Sequence, residues 1–289
     1  MVFVCGLSRS GTTLLATVLD SHPAIAMGYE LIPPPLPGPA ELLEHLERGL
    51  DLADGDFALC GKRLRAAGER TLGLFFTRCH RLGLDAAQVR DALARLDAGG
   101  LGRIEDLGDR LRVAWRLARS RRDAEGAPLF GFKLNIPSLD RALDYFPQGS
   151  FAYIVRDPRD VVASHRKRGF DRTLEEICRA WNGYLAGFDR LAEAHPEQTA
   201  LVRYEDLVST PREVLERLFA RLPVPLDPAV LEFHHSAAAV HRGGHPNSEQ
   251  LRSGFFSTSV GRFAVELSAD EDLEVRRLCA AGMAGHGYE

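Results

Sequence analysis

Apolar positions along the chain follow two periods. Met1 to Cys5 is a continuous apolar run, and runs of the same kind return at Leu129 to Lys133, Ser150 to Val155 and Ala200 to Tyr204. Short unbroken apolar runs bounded by glycine or polar clusters predict strands buried on both faces, and Ile25-Ala26-Met27 predicts one more. Helical spacing begins after Thr12 and recurs over Glu41 to Leu50, Ala86 to Leu96 and Ile104 to Arg121. It returns over Pro158 to Lys167, Leu174 to Ala194, Arg212 to Leu222, Pro228 to Val240 and Asp270 to Ala281. Strands alternating with helices predict an α/β fold: a parallel sheet covered on both faces, with ligands at the carboxyl ends of its strands. Residues from about 40 to 122 carry no strand pattern and read as a helical insertion within one domain spanning 1–289. The stretch Ile32 to Pro39 holds five prolines, which excludes helix and central strand. His241 to Arg262, rich in Gly, Ser and Arg, reads as a long loop able to order over a ligand.

Composition narrows the function classes. The 289 residues are 45% hydrophobic and 26% charged, typical globular values that leave no room for a disordered or disulfide-scaffold class. The five cysteines are odd in number and widely spaced, so free thiols in a reducing, cytoplasmic setting are expected. No apolar run reaches the roughly 18 to 20 residues of a membrane span. Net charge is −4, so no global basic field recruits nucleic acid. Any anionic ligand must be held by local basic clusters. Arginine outnumbers lysine 33 to 3, which reads as genome composition bias and makes the three lysine positions the more informative.

Two clusters carry chemistry. Gly6-Leu7-Ser8-Arg9-Ser10-Gly11-Thr12-Thr13 has the frame of a phosphate loop between strand and helix, where glycines admit backbone N–H groups to phosphate oxygens and the helix N-terminus adds its dipole. Thr12 stands where a nucleotide triphosphatase carries its lysine, which disfavours ATP or GTP hydrolysis. The second cluster, Arg156-Asp157-Pro158 through Ser164 to Arg168, follows a strand and opens a helix. Arg156 and Ser164 either converge on one anion, or Arg156 pairs with Asp157 or Asp160 and Ser164 faces solvent. Lys133 closes an apolar run and reads equally as an ion-paired or snorkelling side chain. His22 reads as a turn residue ahead of Pro23. His234, His235, His241 and His245 match no common zinc spacing, and no metal site is expected.

Taken together, the two clusters resemble the PAPS-dependent sulfotransferases, in which an arginine eight residues before a serine follows the 5′-phosphosulfate loop, as Arg156 and Ser164 do here. The run Arg9 to Leu15, Asp20-Ser21-His22-Pro23 and Gly28-Tyr29-Glu30 is most similar to the tyrosylprotein sulfotransferase and related bacterial branch. Further likeness lies in Lys133, Trp181-Asn182, Arg203 to Leu207 and Ser257 to Phe263. The resemblance implies a P-loop-type three-layer fold. It also implies transfer of a sulfuryl group from PAPS, leaving adenosine 3′,5′-bisphosphate, to a hydroxyl of a small-molecule acceptor shaped by the helical insertion. It implies Glu30 as general base, with Arg9 and Lys133 stabilising the leaving phosphate. Ser8, Arg9, Ser10, Gly11, Thr12 and Thr13 would bind the 5′ end; Arg156, Ser164, Arg168 and Arg262 the 3′-phosphate; Tyr204 would line the nucleotide site. Arg9 in place of the lysine common in the family's cytosolic small-molecule enzymes favours a glutamate base over a histidine base. The alternative is a P-loop nucleotide kinase or phosphotransferase.

Overall fold

The computed structural model describes residues 1–134, 143, 144, 146–169, 171–236 and 248–288. Five strands, β1 (Val2–Cys5), β2 (Ile25–Tyr29), β3 (Leu129–Leu134), β4 (Ser150–Val155) and β5 (Thr199–Arg203), form one sheet of order β2-β3-β1-β4-β5. With helices between the strands, this is the α/β architecture with a central parallel sheet that the alternation predicts. The chain divides into two compact units, one of Met1–Leu15, Lys133–His234 and Ser253–Glu289, the other of Ala16–Phe132 and His235–Arg252.

In the first unit, β1 pairs in parallel with β4 from Val2↔Ser150 to Cys5↔Tyr153, and β4 with β5 from Phe151↔Thr199 to Val155↔Arg203. Every residue of β1 is buried, as a central parallel strand requires. Phe3 stacks on Phe151 at 4.9 Å and Tyr153 on Phe188 at 4.6 Å, which builds the core on the strands' side chains. The register has a functional consequence: the chain leaving β1 at Gly6 and the chain leaving β4 at Arg156 emerge side by side. The N-terminal end of α1 (Thr12–Asp20), α7 (Pro158–Lys167), α8 (Leu174–Ala194), α9 (Tyr204–Ser209) and α10 (Pro211–Phe219) belong to this unit. So do α12 (Phe263–Glu266) and α13 (Ala269–Gly285). Capping boxes open α8, at Thr173 with Glu176, and α13, at Ser268 with Glu271.

The second unit holds α2 (Pro39–Asp51), α3 (Phe57–Ala66), α4 (Arg70–Arg81), α5 (Ala86–Ala98) and α6 (Leu107–Glu125), with the short α11 (Ser248–Leu251). The insertion is helical, as its pattern predicts. The periodicity of the insertion does not single out α3 and α4, which carry Gly61 and Gly73. These glycines are the contact point of the two helices: a Cβ on either one would run into backbone atoms of the other helix. Arg121 on α6 is buried, pairs with Asp20 at 2.9 Å and donates to the Met27 carbonyl, while Asp20 also accepts from the Met27 amide at 2.8 Å.

Two local expectations differ from the structure. Pro228–His235 is a 3-10 segment kinked at Glu232 rather than the start of a helix to Val240; residues 237–247 lie outside the described set. Tyr204 starts a helix instead of ending a strand, which turns its ring toward the Arg156 guanidinium.

Candidate functional site

The loop between β1 and α1 is shaped by backbone geometry that only certain residues tolerate. Gly6 (φ 146°) lies so close to β4 that a Cβ would sit 2.5 Å from the Ile154 carbonyl oxygen. At Gly11 (φ 97°) a Cβ would sit 2.6 Å from the Tyr204 ring. Arg9 itself adopts a left-handed φ of 73°, a strained choice for a residue with a side chain. Ser10 donates to the Leu7 carbonyl at 3.1 Å and Leu15 to the Gly11 carbonyl at 3.0 Å, which closes the loop onto the first helical turn.

Side chains from both strand ends meet at this loop. Arg9 Nε donates to Ser164 Oγ at 3.0 Å, so Ser164 is a buried partner of the loop and not a solvent-facing residue. Arg156 Nη1 donates to the Arg9 carbonyl at 3.2 Å, Nη2 donates to the Ser259 carbonyl, and the guanidinium lies 4.7 Å from the centre of the Tyr204 ring. It also pairs with Asp160 at 3.4 Å, while Asp157 pairs with Arg159 at 2.6 Å. Asp160 in turn accepts from the Gly261 amide at 2.9 Å and the Phe263 amide at 3.0 Å, fixing the segment that carries Arg262. Arg262 Nε donates to Glu266 at 3.0 Å. Lys133 is buried and donates from Nζ to Thr13 Oγ1 at 3.0 Å.

The electrostatics report the same convergence. Arg9 is pushed down to about 10, first by burial and then by the positive charges of Arg168, Arg156 and Arg262, with Tyr204 opposing. Four guanidinium groups thus bear on one glycine-bounded helix N-terminus, an arrangement whose positive charge favours an anion. Burial raises the Tyr204 phenol, keeping it neutral, although Arg156 acts in the opposite sense.

The sequence reading missed residues whose part rests on distant contacts. His165, buried behind the loop, contacts Ser8 Oγ at 3.1 Å and the Ser8 carbonyl at 3.3 Å through Nε2, and burial lowers its pKa toward the neutral form. Trp181 and Glu205 hold the chain just beyond Arg156. No signal in a single sequence identifies them as partners of that residue.

Glu30 lies in the second unit, with a left-handed φ of 53° and its Oε2 accepting from Arg78 Nη2 at 2.8 Å. Both side chains stay about one third exposed, at 29% and 32%. His22 Nδ1 accepts from the Ala24 amide at 3.0 Å, as a turn residue does. Glu232, His234 and His235 bring possible ligand atoms within 4.8 Å of one another, with Glu232 and His235 exposed; His241 and His245 lie outside the described residues.

Fold and site together define an α/β protein with a glycine-bounded strand-to-helix loop and a cluster of arginines at neighbouring strand ends. A profile of the sulfotransferase family matches residues 2–228, and the chain belongs to that family. It is 25% identical over 264 residues to a Drosophila melanogaster protein-tyrosine sulfotransferase, covering 88% of this chain and 43% of the relative. It is also 25% identical over 261 residues to Danio rerio protein-tyrosine sulfotransferase 1, covering 88% and 61%. The chain thus spans less than two thirds of these curated relatives. Among solved structures, the sulfotransferase domain of the curacin biosynthetic pathway shares its fold, with a TM-score of 0.64 at 21% identity over 100% of this chain and 98% of that one. The sulfotransferase domain of the Synechococcus PCC 7002 olefin synthase does so with a TM-score of 0.65 at 21% identity, over 100% and 94%.

Proposed function

We propose that the chain is a PAPS-dependent sulfotransferase that moves a sulfuryl group to a hydroxyl of a small-molecule acceptor, with Glu30 as general base. The observation that supports this reading is the gathering of Arg9, Arg156, Arg168 and Arg262 at one loop, where burial first and then the three neighbouring charges depress Arg9 to about 10. The cradle fits a nucleotide with an anionic group at each end: the loop packs tightly at Gly6 and Gly11, and two arginines arise from separate strand ends. When bound, PAPS supplies the sulfuryl group.

In this reading Ser8, Ser10, Thr12 and Thr13, with the loop amides, bind the 5′ end. Arg9 and Lys133 stabilise negative charge on the leaving phosphate oxygen, and Lys133 is oriented by Thr13. Arg156 and Ser164 bind the 3′-phosphate, with Arg168 and Arg262 adding positive charge, and Tyr204 supports Arg156 from below. Glu30 accepts the acceptor's proton, its carboxylate oriented by Arg78. A sulfuryl group carries less negative charge than a phosphoryl, so arginines and amides suffice without a divalent ion. The helices of Pro39–Glu125 form the acceptor region of a single sulfotransferase domain. Among the described residues no helix is long and apolar enough to cross a membrane. The five cysteines are all buried free thiols, which supports a cytoplasmic setting.

The test is Glu30→Gln, assayed with radiolabelled PAPS against a panel of hydroxylated acceptors. Turnover is expected to collapse while affinity for adenosine 3′,5′-bisphosphate stays unchanged. Full turnover by the variant would remove Glu30 from the chemistry.

A further inference from the structure

Where β4 ends, the peptide unit joining Arg156 to Asp157 leaves the sheet and has no ladder partner for its polar groups. Such groups need other partners when buried. Both are taken by side chains from remote parts of the chain: Trp181 Nε1 donates to the Arg156 carbonyl at 2.9 Å, and Glu205 Oε1 accepts from the Asp157 amide at 2.9 Å. The two holding residues meet at one place. Tyr288 donates its hydroxyl to the other oxygen, Glu205 Oε2, at 2.9 Å, and its ring lies edge-on to Trp181 at 6.5 Å and 69°. Tyr288 is itself clamped: the Arg203 guanidinium lies 4.6 Å from its ring centre, and Arg203 Nη2 donates to the Gly287 carbonyl at 3.0 Å. Only 6% of Tyr288 is exposed.

We propose that Tyr288 is a positioning residue for the nucleotide's 3′-phosphate: through Glu205 and Trp181 it fixes the Arg156–Asp157 peptide and so aims the Arg156 guanidinium. Tyr288 touches Glu205 and Trp181, and its effect on the ligand passes through Arg156. A carboxylate with one oxygen on a backbone amide and the other on a phenol is held in a single orientation, and the peptide it grips is held with it. Burial raises the Glu205 carboxyl, which fits a group that depends on these two donors for its charge. The inference rests on the proposed role of Arg156 in binding the 3′-phosphate.

The experiment separates the two claims by using two nucleotides that differ only at the 3′ position. Affinities for PAPS and for adenosine 5′-phosphosulfate are measured by calorimetry in the wild type, Tyr288→Phe, Glu205→Gln, the double variant and Arg156→Lys. Tyr288→Phe removes one hydrogen bond and keeps the ring. It is expected to lower the preference for the 3′-phosphorylated nucleotide by about three- to tenfold, the weight of one such bond, with affinity for the other nucleotide unchanged. In the Glu205→Gln background the same change should add little, because both act through one carboxylate. Unchanged preference in Tyr288→Phe, equal losses for both nucleotides, or full additivity with Glu205→Gln would each overturn the proposal. If Arg156→Lys also leaves the preference intact, the 3′-phosphate role of Arg156 falls with it. If Arg156→Lys abolishes the preference while Tyr288→Phe does not, only the part given to Tyr288 is lost.

Discussion

Asp160→Asn tests how the anion cradle is held together. The wild-type carboxylate is 1% exposed and serves three groups at once: the Gly261 amide at 2.9 Å, the Phe263 amide at 3.0 Å and the Arg156 guanidinium at 3.4 Å. Asparagine keeps the shape, so no cavity forms, but it replaces one acceptor oxygen with an NH2 group. Either amide orientation then points a donor at a donor, and Arg156 loses its buried counter-charge. Hydrogen bonds to a charged group contribute about 1.5–3 kcal/mol each, and an unsatisfied buried donor costs a similar amount. Because Gly261 and Phe263 retain partial access to water, the expected loss is about 3 kcal/mol, below the sum of the separate terms. Urea unfolding followed by circular dichroism at pH 7 measures it, with the slope of the transition checked against wild type to ensure that the same structure unfolds. A loss below about 1 kcal/mol, with an unchanged slope, would mean that Asp160 does not tie α7 to the segment carrying Arg262.

Three further outcomes follow from the same geometry. Gly11→Ala combines a positive φ with a Cβ 2.6 Å from the Tyr204 ring, so it should lower stability by about 2 kcal/mol in urea unfolding and weaken bisphosphate binding more than a surface Gly→Ala control. Ser268→Ala removes the capping box of α13 and should cost about 1 kcal/mol in the same assay. Glu271 is held down at about 2, chiefly by the Arg166 side chain and then by the Ser268 amide, so its folded pKa lies below its unfolded one. Its contribution is therefore full above about pH 4.5 and fades as pH falls toward 2; the stability gap between Glu271→Gln and wild type should narrow across that window and not above it.

The parts of the fold written in local periodicity were legible from sequence. Each sheet strand stands within a residue or two of its apolar run, and the glycine frame at 6–11 placed the loop between strand and helix. The helix that carries Ser164 was also legible from Pro158 onward, whereas the structure pairs Ser164 with Arg9 and Arg156 with Asp160. Illegible were contacts whose partners lie 83 to 103 residues apart, such as Asp160 with Gly261 and Phe263, or Tyr288 with Glu205. The close contact of α3 and α4 at Gly61 and Gly73 was illegible for a physical reason: a glycine that ends a helix and one that admits a neighbouring backbone look alike until the neighbour is known.

The central claim is that two loops at adjacent strand ends form one site for a nucleotide with an anionic group at each end. Calorimetric titration of adenosine 3′,5′-bisphosphate in the presence of EDTA, beside magnesium and ATP, tests it most directly. The bisphosphate is expected to bind without metal, and Arg9→Ala and Arg156→Ala should each weaken it at least about tenfold, the weight of a charged hydrogen bond. Preferential, magnesium-dependent ATP binding, or bisphosphate affinity indifferent to both arginines, would contradict it.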